Sequence, residues 1–199
     1  MIETNIAVLE DLEKLRKEIH QNPELSQHEY ETARRIKDYL VENSSAEVRY
    51  IAKTGVLATF DSKKPGKTLL LRADTDALPI AEINEFGHRS TVQGVSHKCG
   101  HDGHTVMMLG VAHLMSSFDL NSGKVLLLFQ PAEENGMGAE AVLKDELFLK
   151  EKIDYVFALH NLPGFPKKQI IIKENVFNAN VKSLIVHLNG KTSHAAEPE

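Results

Sequence analysis

The run at residues 124–129, KVLLLF, is apolar at every position after the first. An amphipathic helix would space its apolar residues three and four apart, and a half-solvated strand would alternate them. A short continuous run is therefore the pattern of a strand buried on both faces. Strands of that kind lie in sheets covered by helices, which makes this an α/β chain. Residues 155–159, YVFAL, have the same character and read as a second buried strand. Residues 56–60 and 68–72 read as two more strands, and the turn-forming KKPG at 63–66 would join them as a hairpin.

Helices account for much of the rest. Ile6, Leu9, Leu12, Leu15 and Ile19 recur at three and four residues with charges between them, an amphipathic helix that Pro23 stops. After Ser26, Tyr30, Ala33, Ile36 and Leu40 outline another helix ending near Asn43. The apolar residues at 106–115 continue a third. His20 and His28, near the ends of the first two, read as solvated. Residues 81–96 are polar and mixed, a loop or short hairpin.

The chemistry collects where strands end. Residues 97–104, HKCGHDGH, hold three histidines, an aspartate and the only cysteine of the chain. Imidazole nitrogen and thiolate sulfur are ligands for zinc and similar metals. Gly100 and Gly103 would allow the tight turns that let Cys99 and His101 face one ion. Asp74 and Asp76 follow the strand at 68–72, either facing a ligand crevice or capping a turn before Pro79. Glu133 and Glu134 follow the strand at 124–129. Adjacent carboxylates repel, so a cation between them explains the pair, whereas a solvated helix start is the plain alternative. His160 follows the strand at 155–159. The recurrence at three strand ends favours a metal site over coincidence.

Composition excludes some partners. Among 199 residues the formal charge is −5 with no long basic run, which argues against nucleic acid and anionic membranes. A single cysteine makes no internal disulfide, and a thiol redox protein would need a second one. The first residues have neither a basic n-region nor an apolar h-region, and no stretch of about 18 apolar residues occurs. The expected location is the cytoplasm.

RADTDALPI, HKCGHDGH, FQPAEENG, LHNLPG and GKTSHAAEP, in that order, resemble the motifs of the amidohydrolase branch of the aminoacylase and carboxypeptidase metallopeptidase family. The resemblance implies an α/β catalytic domain of the zinc-aminopeptidase type, a mixed sheet flanked by helices, over residues 1–177. Residues 178–199 would begin an inserted α+β lid and dimerisation domain, with a strand at 181–188. It implies two divalent metal ions, zinc, manganese, cobalt or nickel, held by Cys99, His101, Glu134 and His160. Glu133 matches the general base, Asp76 the aspartate supporting the metal centre, and His194 a lid histidine that binds substrate; Asp74 would stand behind the ligands. The implied substrate is a small N-acyl amino acid and the implied assembly a homodimer. Family members continue beyond the point where GKTSHAAEPE stops, through the rest of the lid, further strands and a late histidine. Two classes of function follow: an amidohydrolase, or a metal-binding but inactive remnant. On the second, the 199-residue chain holds fewer than two metals and does not turn over.

Overall fold

The computed structural model describes residues 6–177, 179, 182, 184–191, 194 and 196. They fall in two compact units, 1–161 and 162–199.

Among the described residues the first unit carries ten elements: α1 (Ile6–Gln21), α2 (Tyr30–Asn43), β1 (Glu47–Ile51), β2 (Gly55–Asp61), β3 (Thr68–Asp74), α3 (His101–Ser116), β4 (Lys124–Gln130), α4 (Met137–Lys144), α5 (Glu146–Leu149) and β5 (Tyr155–Ala158). The sheet runs β1-β2-β4-β3-β5, with β4 in the middle. Its KVLLLF run divides between two cores, as a period of two requires. Val125, Leu127 and Phe129 pack with Leu12 and Ile19 of α1, Ile36 and Leu40 of α2, and Leu109 of α3. Leu126 and Leu128 pack on the other face with Leu57, Leu70, Val142 and Phe148. Both faces of β4 are thus dry, as its composition anticipates.

The hairpin expected between 56–60 and 68–72 does not form. β4 lies between β2 and β3, antiparallel to β2 and parallel to β3. A strand apolar on both faces is best covered when both its edges are paired as well, so β4 takes the centre and separates the two. The 62–66 turn instead crosses the start of β4: Ser62 N–H donates to Gly123 O at 3.1 Å and Gly123 N–H to Lys64 O at 3.0 Å. The hairpin that does occur joins β2 to β1, and the sequence pattern did not reveal it. Its turn places Ala52 and Lys53 at positive φ, 46° and 73°, without the glycine or asparagine that usually marks such positions.

β5 also departs from expectation. It pairs parallel to β3 at the sheet's edge, and all four of its residues are exposed rather than buried. An apolar run reports what a strand can bury, not its place in the sheet. The 81–96 segment is a loop closed by a single bridge between Leu78 and Ser96.

In the second unit, Gln169 N–H closes a turn on Pro166 O at 3.2 Å. The strand expected at 181–188 lies partly outside the described residues, and residues 184–188 are exposed without strand pairing.

His20 is a further correction: it is buried, not solvated. Its Nδ1 meets Asp102 Oδ2 at 3.0 Å and its Nε2 meets Glu82 Oε2 at 3.1 Å. Both partners are carboxylates, so both ring nitrogens donate and the ring is an imidazolium. Glu82 also accepts from Lys98 Nζ at 2.6 Å and from Ser90 N–H at 2.8 Å, which ties the 81–96 loop to α1. The hydrogen bond to Asp102 outweighs burial and raises the His20 pKa above its ordinary 6.5. Burial would raise Glu82, but the bonds from Lys98 and Ser90 bring it down to about 2. The His20 contribution to stability is complete below pH 6.5 and is lost as pH rises through the folded-state pKa. The Glu82 contribution is complete above pH 4.5 and is lost as pH falls towards 2. The stability lost in His20→Gln, read as a Tm difference, should therefore be largest between pH 4.5 and 6.5 and shrink in alkaline buffer. A pH-independent difference would contradict the imidazolium.

Candidate metal centre

Parallel pairing of β3 with β4 and β5 brings their C-terminal ends to one side of the sheet. Chain segments leaving such ends line the crevice of an open α/β sheet. Here β3 delivers Asp74 and Asp76, the turn after β4 delivers Glu133 and Glu134, and β5 leads to His160 and Asn161. The α3 N-terminus supplies Cys99, His101 and His104. Gly100, the N-cap of α3, has φ of 95°, and a Cβ there would stand 2.7 Å from Asn161 Oδ1. The positive φ is what favours glycine, since the close contact is with the end of a side chain. Gly103 does not share this role, because it lies inside α3, where an added Cβ would meet only Arg16 Nε within 4 Å, at 3.8 Å.

His101 is at the centre and fully buried. Its Nδ1 faces Asp76 Oδ1 at 3.3 Å, and a carboxylate only accepts, so Nδ1 carries a proton and Nε2 is the nitrogen left to serve an ion. That Nε2 has no hydrogen-bond partner. Around it stand Asp74 Oδ2 at 3.6 Å, Glu134 Oε1 at 3.6 Å and Glu133 Oε2 at 3.9 Å. Glu134 Oε1 is likewise buried and unpartnered. Asp76 is itself held, its Oδ2 accepting from Ser26 Oγ at 2.6 Å and from Glu134 N–H at 3.0 Å. Carboxylate, imidazole and open lone pair form the arrangement by which metal-binding histidines are oriented.

His160 is set the same way. Its Nδ1 donates to Asn161 O at 2.7 Å, leaving Nε2 towards Cys99 Sγ at 3.3 Å. His104, one turn along α3 from His101, has Nδ1 2.6 Å from Asp74 Oδ1. Its Nε2 faces Asn161, 2.6 Å from the carboxamide oxygen Oδ1 and 3.2 Å from the backbone N. Asp74 is further held by Arg72 Nη1 at 2.8 Å. Two overlapping donor groups result, Cys99 with His101 and Glu134, and Asp74 with His101, His104 and His160, each with ligand atoms within 4.8 Å of one another.

The charge balance matches a cation. Burial, and then the neighbouring Glu134 carboxylate, push the Cys99 thiol up to about 12. Burial also raises Glu134. Burial would lower His101, but its bond to Asp76 and the charges of Asp74 and Asp76 raise it. Burial would raise Asp74 too, yet the His104 hydrogen bond and the His101 and Arg72 charges bring it down to about 2. Several acids thus compete for too little positive charge. Thiolate, imidazole and carboxylate together are a donor set for divalent metals of the zinc type, and the orphaned Nε2 and Oε1 fit such an ion.

Of the residues singled out in the sequence, Asp74, Asp76, Cys99, His101, Glu133, Glu134 and His160 come together here. His194 belongs to the second unit, where it is exposed and its Nδ1 accepts the Ala196 N–H at 3.3 Å. His104, Asn161, Ser26 and Arg72 were given no role by sequence reasoning. The spacing of three between His101 and His104 on a helix carried a signal for the first. Ser26 is 50 residues from Asp76 and had none.

A family model described as "Peptidase family M20/M25/M40" matches residues 70–196. The hippurate hydrolase of Campylobacter jejuni subsp. jejuni is 39% identical over 189 residues, covering 95% of this chain and 49% of that protein. The N-acetyl-L-cysteine deacetylase of Bacillus subtilis is 42% identical over 202 residues, covering 98% of this chain and 48% of that protein. Among solved structures, a dinuclear metal-binding peptidase of the M20 family from Bacillus subtilis superposes with a TM-score of 0.76 at 37% identity, over 82% of this chain and 45% of its own. The chain spans about half the length of the curated relatives it matches.

Proposed function

The chain belongs to peptidase family M20/M25/M40, and from that membership we propose that it forms the metal-holding part of an amidohydrolase acting on N-acyl amino acids. The observation that carries this reading is the His101 Nε2, buried and unpartnered, with three carboxylates within 3.6–3.9 Å of it. Cys99, His101, Glu134 and His160 would hold the metal ions, with Asp74 and His104 behind or beside them. When bound, a divalent pair polarises the amide carbonyl and lowers the pKa of the attacking water.

The protein's own residues do the remainder. Asp76 keeps the His101 lone pair aimed inwards. The Cys99 thiol, pushed up to about 12, must give up its proton on loading, so affinity rises with pH. Glu133, half-buried and beside rather than within the cage, is free to take a proton from water at Oε2 and to deliver it to the departing amine nitrogen. His194 is assigned to the substrate, and residues 178–199 to the start of a lid and dimerisation domain. The lone cysteine, useful as a ligand only when reduced, supports a cytoplasmic location. No described helix is long and apolar enough to cross a membrane.

Relatives named for hippurate, N-acetyl-L-cysteine and N-acetyldiaminopimelate support a small N-acyl amino acid as substrate. A zinc and manganese titration, paired with hydrolysis of N-acetyl, N-benzoyl and indole-acetyl amino acids, tests the proposal. Binding of neither metal would refute it. Asp76→Asn should weaken zinc by about 10–100-fold, the usual effect of losing the partner of a metal-binding histidine. Unchanged affinity would remove Asp76 from that role.

A further inference from the structure

The segment between α1 and α2, NPELSQHE at 22–29, supplies no metal ligand and no proton. It nevertheless touches the site from behind at three points. Ala77 N–H donates to Glu24 O at 2.8 Å, Ser26 Oγ reaches Asp76, and Glu29 reaches the turn after β4. Glu29 is fully buried. Its Oε1 accepts from Ala132 N–H at 2.7 Å, and its Oε2 from Thr54 Oγ1 at 2.8 Å.

A glutamate at the start of a helix would ordinarily be spent on the free N–H groups of the first turn. Here the side chain of Glu24 takes that role for α2, accepting from Glu31 N–H at 3.2 Å and Thr32 N–H at 2.7 Å. Glu29, the N-cap residue, makes no side-chain cap and is free to reach across the fold. What it holds is Ala132, whose φ of 49° is one that an alanine adopts only under constraint. The next two residues are Glu133 and Glu134. The same turn is held on its other side by Gly138 N–H, which donates to Ala132 O at 2.9 Å, and by Asp76, which takes the Glu134 N–H.

We propose that Glu29 is a positioning residue for the Glu133–Glu134 pair, holding the Ala132 turn in its left-handed conformation so that both carboxyls face His101. The proposal rests on the metal-site reading in assigning that pair its purpose, but the positioning itself is a property of the protein alone. Without Glu29 the buried Ala132 N–H has no acceptor, and relaxing φ at Ala132 rotates the two glutamates out of register.

Three variants of the whole chain separate positioning from mere stability. Glu29→Ala removes the acceptor. Glu29→Gln keeps an oxygen for Ala132 N–H and offers its NH2 to Thr54 Oγ1. Thr54→Val removes the other bond and leaves the one to Ala132. Hydrogen exchange on the metal-free protein should show the Ala132 and Glu134 amides exchanging at least about tenfold faster in Glu29→Ala, and close to the unsubstituted rate in the other two. Zinc titration with a competing chelator should rank the variants alike, with Glu29→Ala weaker by about tenfold or more. Thr54→Val should lower Tm without that loss. Unaltered Glu134 exchange in Glu29→Ala, or equal zinc losses in Glu29→Ala and Thr54→Val, would overturn the proposal. If the unsubstituted chain bound no zinc, the metal reading would fail, and exchange at Glu134 would still decide the role of Glu29.

Discussion

Replacing Glu133 by glutamine should lower the kcat of the proposed amidohydrolase activity by about 10²–10⁴-fold, the contribution general acid–base catalysis commonly makes, while metal content is retained. The two adjacent glutamates are not equivalent. Glu134 is the more enclosed, its Oε1 is buried without a partner, and its N–H is tied to Asp76. The Glu133 side chain is 39% exposed, and its Oε2 is the furthest of the three carboxylates from His101 Nε2. An amide at 133 keeps size and hydrogen bonding but cannot accept a proton from water. Steady-state kinetics with metal analysis of the same samples measures both effects. Near-normal kcat would end the assignment of Glu133 as base. Glu134→Gln should give the opposite pattern, with metal occupancy falling first and activity recovering in part at high metal concentration.

The largest expected effect on stability is at Gly138, in the first turn of α4. A Cβ there would stand 1.6 Å from Pro131 O and 3.0 Å from Ala132 O. Both are backbone atoms, so no side chain can swing aside. Helix and turn must separate, which breaks the bond from Gly138 N–H to Ala132 O. Overpacking typically costs about 1–3 kcal/mol and can cost more; with a backbone clash and a lost hydrogen bond, Gly138→Ala should reach about 3 kcal/mol or more. Urea denaturation checks this. Since the turn carries Glu133 and Glu134, zinc affinity should fall as well. Gly136→Ala is the contrast: a Cβ there has open space around it, so its penalty is confined to the φ of 73°. Equal destabilisation by the two substitutions would show that strain, not the close approach, governs this turn.

The parts of the site that could be read from the sequence are those where the chemistry is local. HKCGHDGH declares itself because no plain turn needs three histidines and a cysteine, and the glutamate pair does so because two like charges side by side call for a counter-charge. The ends of α1, α2 and β4 follow from period and from breakers within the same ten or so residues. The His20 environment could not be found in this way. Its burial depends on Asp102 and Glu82, 82 and 62 residues away, and a helix-end histidine beside charged neighbours has the same local pattern as a solvated one.

By itself the sequence determined that the chain is α/β, that β4 is dry on both faces, and that metal-ligand chemistry gathers where strands end. Those properties belong to single segments, because hydrophobic period and residue type act over one or two turns of chain. Only the tertiary structure decided the order β1-β2-β4-β3-β5, which replaced the expected hairpin, and the edge position of β5. It alone decided that Asp76 orients His101, that His104 joins the cluster, and that Glu29 reaches the Ala132 turn across 103 residues. Strand order is settled by which edges and faces can be covered together. Long-range hydrogen bonds are settled by which buried groups meet once that has happened, and neither is a property of any one segment.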